Sequence, residues 1–364
     1  MKTTKFFFMA ALALTFVACS NDDNEIQQPA QQGPMKFTAT LAAPNSGATN
    51  RTTATAGTGD DAGKFLVTWE VDDEIALIYE VSSTRYLDKA KVTAVDASGN
   101  ATISGTLSTF VTSGTAVNLV YPYDVVQSAD EDLGTGKAYR PDMYYFNGQT
   151  GAAPTDATNG LPKYDWRDGS GTFSVSGTSV TLSGNVTMGF NTAIWKLNLT
   201  SGGSPLLSNS VTLICGMPIF RATFPDDVSE FYLYVPIPIY NNMKSMGTPP
   251  LEIVATSGVN DYSYSHSAVT LTGGKIYNSN VTLAQLYFFD VNGGGHGSYI
   301  SYNAGETWTQ AIANHSDNAG WLIDGGCVKF SDGFDTFRLQ DNHDTDISPT
   351  DPIDDTVTYK WVQE

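Results

Sequence analysis

Apolar and polar residues alternate along most of the chain with a period of two, broken at intervals by Gly, Asn, Asp and Ser. In Met35-Lys36-Phe37-Thr38-Ala39-Thr40-Leu41 the alternation puts Phe37, Ala39 and Leu41 on one face, the pattern of a half-buried strand. A Gly/Thr/Ala/Asn loop spans residues 43–63, and residues 64–70 and 74–81 then read as strands joined by the acidic turn Val71-Asp72-Asp73. Residues 86–95, 101–107 and 115–121 continue the series, with a turn at 96–100. From Asp124 to Leu161 the period fades into acids, glycines and tyrosines, which reads as irregular surface structure. Strands resume at 172–175, 180–182, 186–190 and 193–199, followed by 210–215, 230–239, 251–256, 263–271 and 275–283. Pro236 and Pro238 remove two backbone donors, so the strand containing them belongs at an edge or is broken.

Beyond residue 286 the pattern changes. Trp308 and Ile312 stand four apart within residues 305–314, the spacing of a helical turn, and short strands are expected at 287–290, 321–323, 328–330, 334–339 and 357–362. Many short strands with long connections favour sandwiches or barrels with Greek-key crossings. The expected fold is all-β: two β-sandwiches followed by a small α+β module. The expected divisions are 1–18, 19–34, 35–188, 189–285 and 286–364.

The first of these divisions is an address. Lys2 and Lys5 precede the apolar run Phe6–Ala18, too short to cross a bilayer and patterned as a secretory signal. It ends Phe16-Val17-Ala18-Cys19, similar to a bacterial lipoprotein cleavage box with Cys19 as the acylated residue. Residues 20–34 are polar and suit a flexible tether. Behind Cys19, Ser20-Asn21-Asp22-Asp23-Asn24-Glu25 resembles the surface-export signal of lipoproteins in anaerobic gut and oral bacteria.

Composition narrows the function further. The 364 residues carry 38 Asp+Glu against 19 Lys+Arg, a net charge of −19, and loss of residues 1–18 would take it to −21. A basic footprint for nucleic acid is absent. Cys215 and Cys327, in different expected domains, read as separate buried thiols. The four histidines, His266, His296, His315 and His343, stand beside no nucleophile elbow, Walker loop, zincin helix or dinucleotide fingerprint, so no catalytic residue, cofactor or metal is expected. Gly293-Gly294-Gly295-His296-Gly297 lacks the Lys of a phosphate loop and reads as a linker. The acidic run Asp341–Asp346, with Asp351, Asp354 and Asp355, offers oxygen ligands for calcium but lacks an EF-hand frame, and reads as solvated turns. Tyr144, Tyr145, Tyr164 and Trp166 are either a sugar-stacking platform or core filling.

Taken together, these motifs resemble the fimbrillins, lipoprotein-derived pilus subunits and surface adhesins of anaerobic Gram-negative bacteria. The resemblance is carried by the box at Cys19, the strand Lys36-Phe37-Thr38-Ala39, and Arg51 in the following loop. It continues through Trp69-Glu70-Val71-Asp72-Asp73-Glu74-Ile75, Val120-Tyr121-Pro122-Tyr123, the strand from Phe190 to Leu199, Tyr234-Val235-Pro236 and Leu271-Thr272-Gly273-Gly274-Lys275-Ile276-Tyr277. Asp72 stands where the family often has Gly. The resemblance implies two transthyretin-like sandwiches and a lipid-anchored precursor at the outer-membrane surface. It also implies cleavage by a trypsin-like protease, for which Arg51 is the candidate, after which the first strand leaves and a neighbouring pilin subunit's strand fills the groove. The partners would then be other pilin subunits and a surface receptor of host or bacterium, with no enzyme activity. Val357, Tyr359 and Trp361, alternating on one face of the last strand, either close the chain's own module or are donated to a neighbour. From another class, a monomeric glycan-binding surface lipoprotein fits the same targeting signals.

Overall fold

A computed structural model describes residues 34–44, 55–56, 65–156, 158–245, 250–267, 269–290, 299–315, 318, 320–331, 335–341, 343–354, 356–357 and 359–363. The protein is all-β, with short helices set among the strands. The first sheet runs, in spatial order, through Ser179–Leu182, Met35–Leu41, Ala101–Leu107, Thr84–Val95, Glu74–Val81, Ala116–Tyr121 and Arg167–Ser176. Arg167–Ser176 then changes partner along its length. Residues 167–172 pair with Ala116–Tyr121, whereas Phe173–Ser176 pair with Ser179–Leu182, so the hydrogen-bonded path closes on itself. Inside lie Phe37, Ile75, Leu77, Ile103, Leu119 and Phe173, all 1% exposed or less.

The strands Glu74–Val81 and Ala116–Tyr121 are apolar on both faces, and the second face has its own partners. Ile75, Leu77 and Leu119 point into the first core, while Ala76, Ile78 and Val120 join a different cluster. That second cluster is supplied in part by residues 122–166. Val125, Tyr139, Phe146, Leu161, Tyr164 and Trp166 are each 1% exposed or less. Over residues 124–161 the backbone is irregular, as expected, but Val125, Tyr139, Phe146 and Leu161 are core, so the expectation of a surface segment is wrong there. Its aromatics fill a core from irregular backbone, which imposes no period on them.

The same cluster holds the next pair of sheets. Thr192–Ser201 pairs with Glu230–Pro236 and, in parallel, with Ile276–Thr282. Opposite it stand Met217–Val228, Ser208–Cys215, Pro250–Ser257, Asn260–Ser267, Ala284–Asp290 and Tyr299–Asn303, in that order. This sheet runs without interruption across residues 285 and 286. The strand expected over 230–239 breaks after Pro236, and Ile237–Ser245 forms a helix, with Pro238 in its first turn, where a missing N–H is harmless. Met217–Val228, an edge strand with Pro218 and Pro225, escaped the pattern because Pro there looks like a breaker.

The last unit has Trp308–Asn314 as a helix, where helical spacing was expected. Thr307 caps it reciprocally: its hydroxyl accepts from Gln310 N–H at 3.2 Å, and Gln310 Oε1 accepts from Thr307 N–H at 2.9 Å. The helix packs Trp308 against Trp321 and Tyr359 of a sheet made of Trp321–Asp324, Cys327–Ser331, Thr336–Asp341 and Tyr359–Gln363.

Candidate functional site

Because Met35–Leu41 alternates so regularly, it buries Met35, Phe37, Ala39 and Leu41 and exposes the residues between them. All seven residues pair antiparallel with Ala101–Leu107, and Lys36 and Phe37 pair in parallel with Ser179 and Val180. Phe37 meets Phe173 edge to face with ring centroids 5.8 Å apart. Its end is fixed by Ala42, whose N–H donates to the Val186 carbonyl at 3.0 Å and whose own carbonyl accepts from Trp69 Nε1 at 3.0 Å. Taking this strand away would leave two unpaired strand edges and a four-side-chain apolar groove, the kind of surface that recruits another strand.

The Trp-Glu-x-Asp-Asp motif is what grips that end. Asp72 takes φ of 72°, the left-handed conformation in which Gly is at home and Asp is tolerated. Asp73 then closes the turn. Its Oδ2 accepts from Glu70 N–H at 2.9 Å and its Oδ1 from the Tyr121 hydroxyl at 3.1 Å. Behind Trp69 the Arg167 guanidinium lies 4.0 Å from its ring centroid and 4.6 Å from that of Tyr121, in a fully buried ion pair with Asp165 at 3.0 Å. Arg167 and Asp165 gave no sequence signal, because a lone Arg between two acids in a polar stretch reads as surface.

A second edge is already occupied. Residues 148–152 lie between Met217–Val228 and Glu230–Pro236. The Gly148 N–H donates to Arg221, the Gln149 carbonyl accepts from Thr223, and the Gly151 carbonyl accepts from Tyr232. Gln149, fully buried, substitutes for backbone: its Oε1 accepts from Tyr234 N–H at 2.8 Å and its Nε2 donates to the Tyr234 carbonyl at 2.9 Å. Gly151 is required on two counts, with φ of 72° and Phe224 and Phe231 so close that a Cβ would sit under 3 Å from both.

The remaining expected residues are placed as follows. Cys19, Arg51 and the Gly293–Gly297 loop lie outside the described residues. Tyr359–Gln363 pairs antiparallel with Thr336–Asp341 inside its own module. There Tyr359 is 5% exposed, its hydroxyl donates to the Asp354 carbonyl at 3.1 Å, and Val357 packs against the same cluster. Of the aromatics considered as a sugar platform, Tyr164 and Trp166 are fully buried and only Tyr144 is exposed, so these side chains do not form one. The acidic tail is engaged by its own turns. Asp341 accepts from His343 and Thr345 N–H, Asp354 from Thr356, and Asp346 pairs with Arg338 at 3.0 Å. Among the described residues no cluster of three or more His, Cys, Asp or Glu is arranged to hold a metal. Cys215 is buried, Cys327 is half-buried, and both are free thiols; burial pushes the Cys215 thiol up.

A charged group missed by pattern reading joins the second sheet to the last module. His315, 3% exposed, caps the C-terminus of its helix. Its Nδ1 is 3.0 Å from Glu252 Oε1 on the strand Pro250–Ser257, and its Nε2 is 2.8 Å from Glu306 Oε2. Burial works against the imidazolium, but the two carboxylates outweigh it and lift the pKa from 6.5 to about 9.

No protein-family model and no curated protein matches the chain. Similar solved structures include a fimbrial assembly protein from Parabacteroides distasonis, 12% identical, covering 75% of this chain and 96% of that one at a TM-score of 0.34. A fimbrial protein from Bacteroides ovatus is 11% identical, with 74% of this chain and 53% of that one covered at a TM-score of 0.30. The tip fimbrial protein of Porphyromonas gingivalis, in a C-terminally truncated form, is 9% identical over 91% of this chain and 99% of that one at 0.25. The chain is thus similar to fimbrial and cell adhesion proteins of these bacteria.

Proposed function

We propose that the chain is a surface-exposed structural and adhesive subunit of a strand-exchange pilus, anchored as a lipoprotein through Cys19 and activated by trypsin-like cleavage after Arg51. The observation that carries the reading is Met35–Leu41. It is paired on both edges, packs four side chains into the first core, and leads directly into the stretch containing Arg51. Once the chain is cut there, only non-covalent contacts hold the strand. The groove it vacates then offers a neighbour's strand a row of backbone partners and matched apolar pockets. Such head-to-tail donation does not close on itself and generates a filament.

Brief digestion of the folded protein with a trypsin-like protease tests this. Thr52 should be the first new N-terminus, and the cleaved protein should form a ladder of oligomers that Arg51→Ala abolishes. Early products lacking Thr52, or a ladder from the Arg51→Ala protein, would refute it. Cys19→Ser should move the protein out of the membrane fraction. For the strand a subunit offers, the packing of Tyr359 on Trp308 favours local closure of Tyr359–Gln363 over donation. Deleting residues 357–364 should then destabilise the monomer, whereas donation predicts an intact monomer that is cleaved but no longer polymerises.

A further inference from the structure

The Lys137 ammonium stands between two groups brought from distant parts of the chain. Its Nζ lies 2.7 Å from Asp168 Oδ2 and donates to Asn191 Oδ1 at 2.8 Å. We propose that Lys137 and Asn191 join in an intramolecular isopeptide bond, with Asp168 moving the protons.

The fold fixes each of the three groups from outside the trio. The Asn191 N–H donates to the Trp166 carbonyl at 2.8 Å, and the Asn191 carbonyl accepts from Ile237 N–H at 2.8 Å. Asp168 lies on the strand Arg167–Ser176, paired with Val120 on one side and Gly189 on the other, and its Oδ2 also accepts from the Tyr139 hydroxyl at 2.9 Å. The Lys137 carbonyl accepts from Asp132 N–H at 3.0 Å. Trp166 and Tyr139, both buried, wall the site, with Lys137 Nζ 5.8 Å from the Trp166 ring centroid. Because an ammonium can only donate, its contact with Asn191 fixes the amide with Oδ1 toward the lysine. The carbonyl bond of about 1.2 Å then puts Asn191 Cγ roughly 3–4 Å from Nζ, close to the separation of reacting atoms in a near-attack arrangement.

The reaction needs no outside reagent. Asp168 Oδ2 takes a proton from the ammonium and leaves a neutral amine, whose Nζ adds to Asn191 Cγ. The Cγ–Nδ2 bond then breaks as Asp168 returns the proton to the departing nitrogen. One C–N bond forms and one breaks. The ammonium that leaves carries two hydrogens from each side chain, and Asp168 ends as the carboxylate it began as. Nothing retains the leaving group, since Asn191 Nδ2 is buried and makes no hydrogen bond to the described residues. The surface depression that both Lys137 and Asn191 line gives the ammonium its way out. The two residues stand 54 apart in sequence, so the bond ties the irregular stretch after the first sheet to the start of the strand Thr192–Ser201. Such a cross-link constrains the unfolded chain as a disulfide does and is untouched by reductants. The inference rests on these contacts alone and holds whether or not the chain polymerises.

Peptide mass spectrometry of the purified full chain, denatured, reduced and digested with trypsin, tests the proposal. Trypsin does not cut after an acylated lysine or between Arg140 and Pro141, so residues 92–163 should emerge joined to residues 168–196, lighter by one ammonia than the two linear stretches together. Lys137→Arg and Asn191→Ala should each abolish the branched peptide. Asp168→Asn should abolish it too, with unchanged circular dichroism, although both reacting side chains are still present. The proposal is overturned if the unmodified chain yields residues 92–137 and 168–196 only as linear peptides. It is equally overturned if the lost ammonia traces to a succinimide at Asn191 with Lys137 free, or if a folded Asp168→Asn protein keeps the branch.

Discussion

Replacing His315 with Gln should remove a pH dependence that the unmodified protein shows on the alkaline side of neutrality. A pKa that rises from 6.5 in the unfolded chain to about 9 in the folded one means that the folded form holds its proton more tightly. The stabilisation is complete below pH 6.5 and disappears as pH climbs through about 9. At about 1.4 kcal/mol per pH unit, the linkage amounts to about 3 kcal/mol. The proton matters because Glu252 and Glu306 approach the ring from opposite sides, one on the second sheet and one ahead of the last helix. Deprotonation leaves two carboxylates, 3% and 15% exposed, facing a neutral imidazole that can donate a hydrogen bond to only one of them. Trp308 and Trp321 pack within the same module and report on its unfolding by fluorescence. In urea melts of the unmodified protein, the module's unfolding free energy should fall by about 3 kcal/mol between pH 6.5 and 9. His315→Gln should be less stable at pH 6.5 and nearly flat across that window. An unmodified protein with no alkaline loss, or a variant that keeps the full slope, would refute the reasoning.

Other perturbations test the junction and the braced edge. Arg167→Met leaves Asp165 buried without its cation and should cost about 3–5 kcal/mol in urea denaturation, with part of the loss regained in the Asp165→Asn, Arg167→Met double variant. Gln149→Leu strands the Tyr234 N–H and carbonyl inside the core and should lower stability by about 1–3 kcal/mol for each group left without a partner; an unchanged urea midpoint would show that the side chain does not brace that strand. Phe37→Ala should cost about 3–5 kcal/mol and, on the strand-exchange reading, speed oligomerisation after cleavage by loosening the strand that has to leave.

Period-two alternation made the all-β class and most strands readable, because a strand with one wet face writes its burial directly into the sequence. Met35–Leu41 and Glu74–Val81 lie where the pattern put them, though nothing in the pattern distinguished a strand with one core from a strand with two. The surface reading of residues 124–161 failed for a physical reason. Their buried aromatics are held by turns and side-chain hydrogen bonds, such as Trp166 Nε1 donating to the Tyr139 hydroxyl at 2.8 Å, and these impose no spacing. His315 stood out in sequence as one of four histidines, but its two carboxylates come from Glu252 and Glu306, the first in another sheet.

The brace formed by residues 148–152 bears on how such a chain can evolve and be engineered. The stretch belongs by chain order to the first half, yet it completes hydrogen bonding on two strands of the second. Cutting the gene between the halves would give a C-terminal fragment with two bare strand edges and an uncovered apolar seam around Phe224 and Phe231, prone to sticking to copies of itself. The halves are consequently not exchangeable cassettes. A recombinant made by swapping one half with a relative's would have to carry the 148–152 stretch along with the strands it serves, and the two parts of the chain are bound to diverge together.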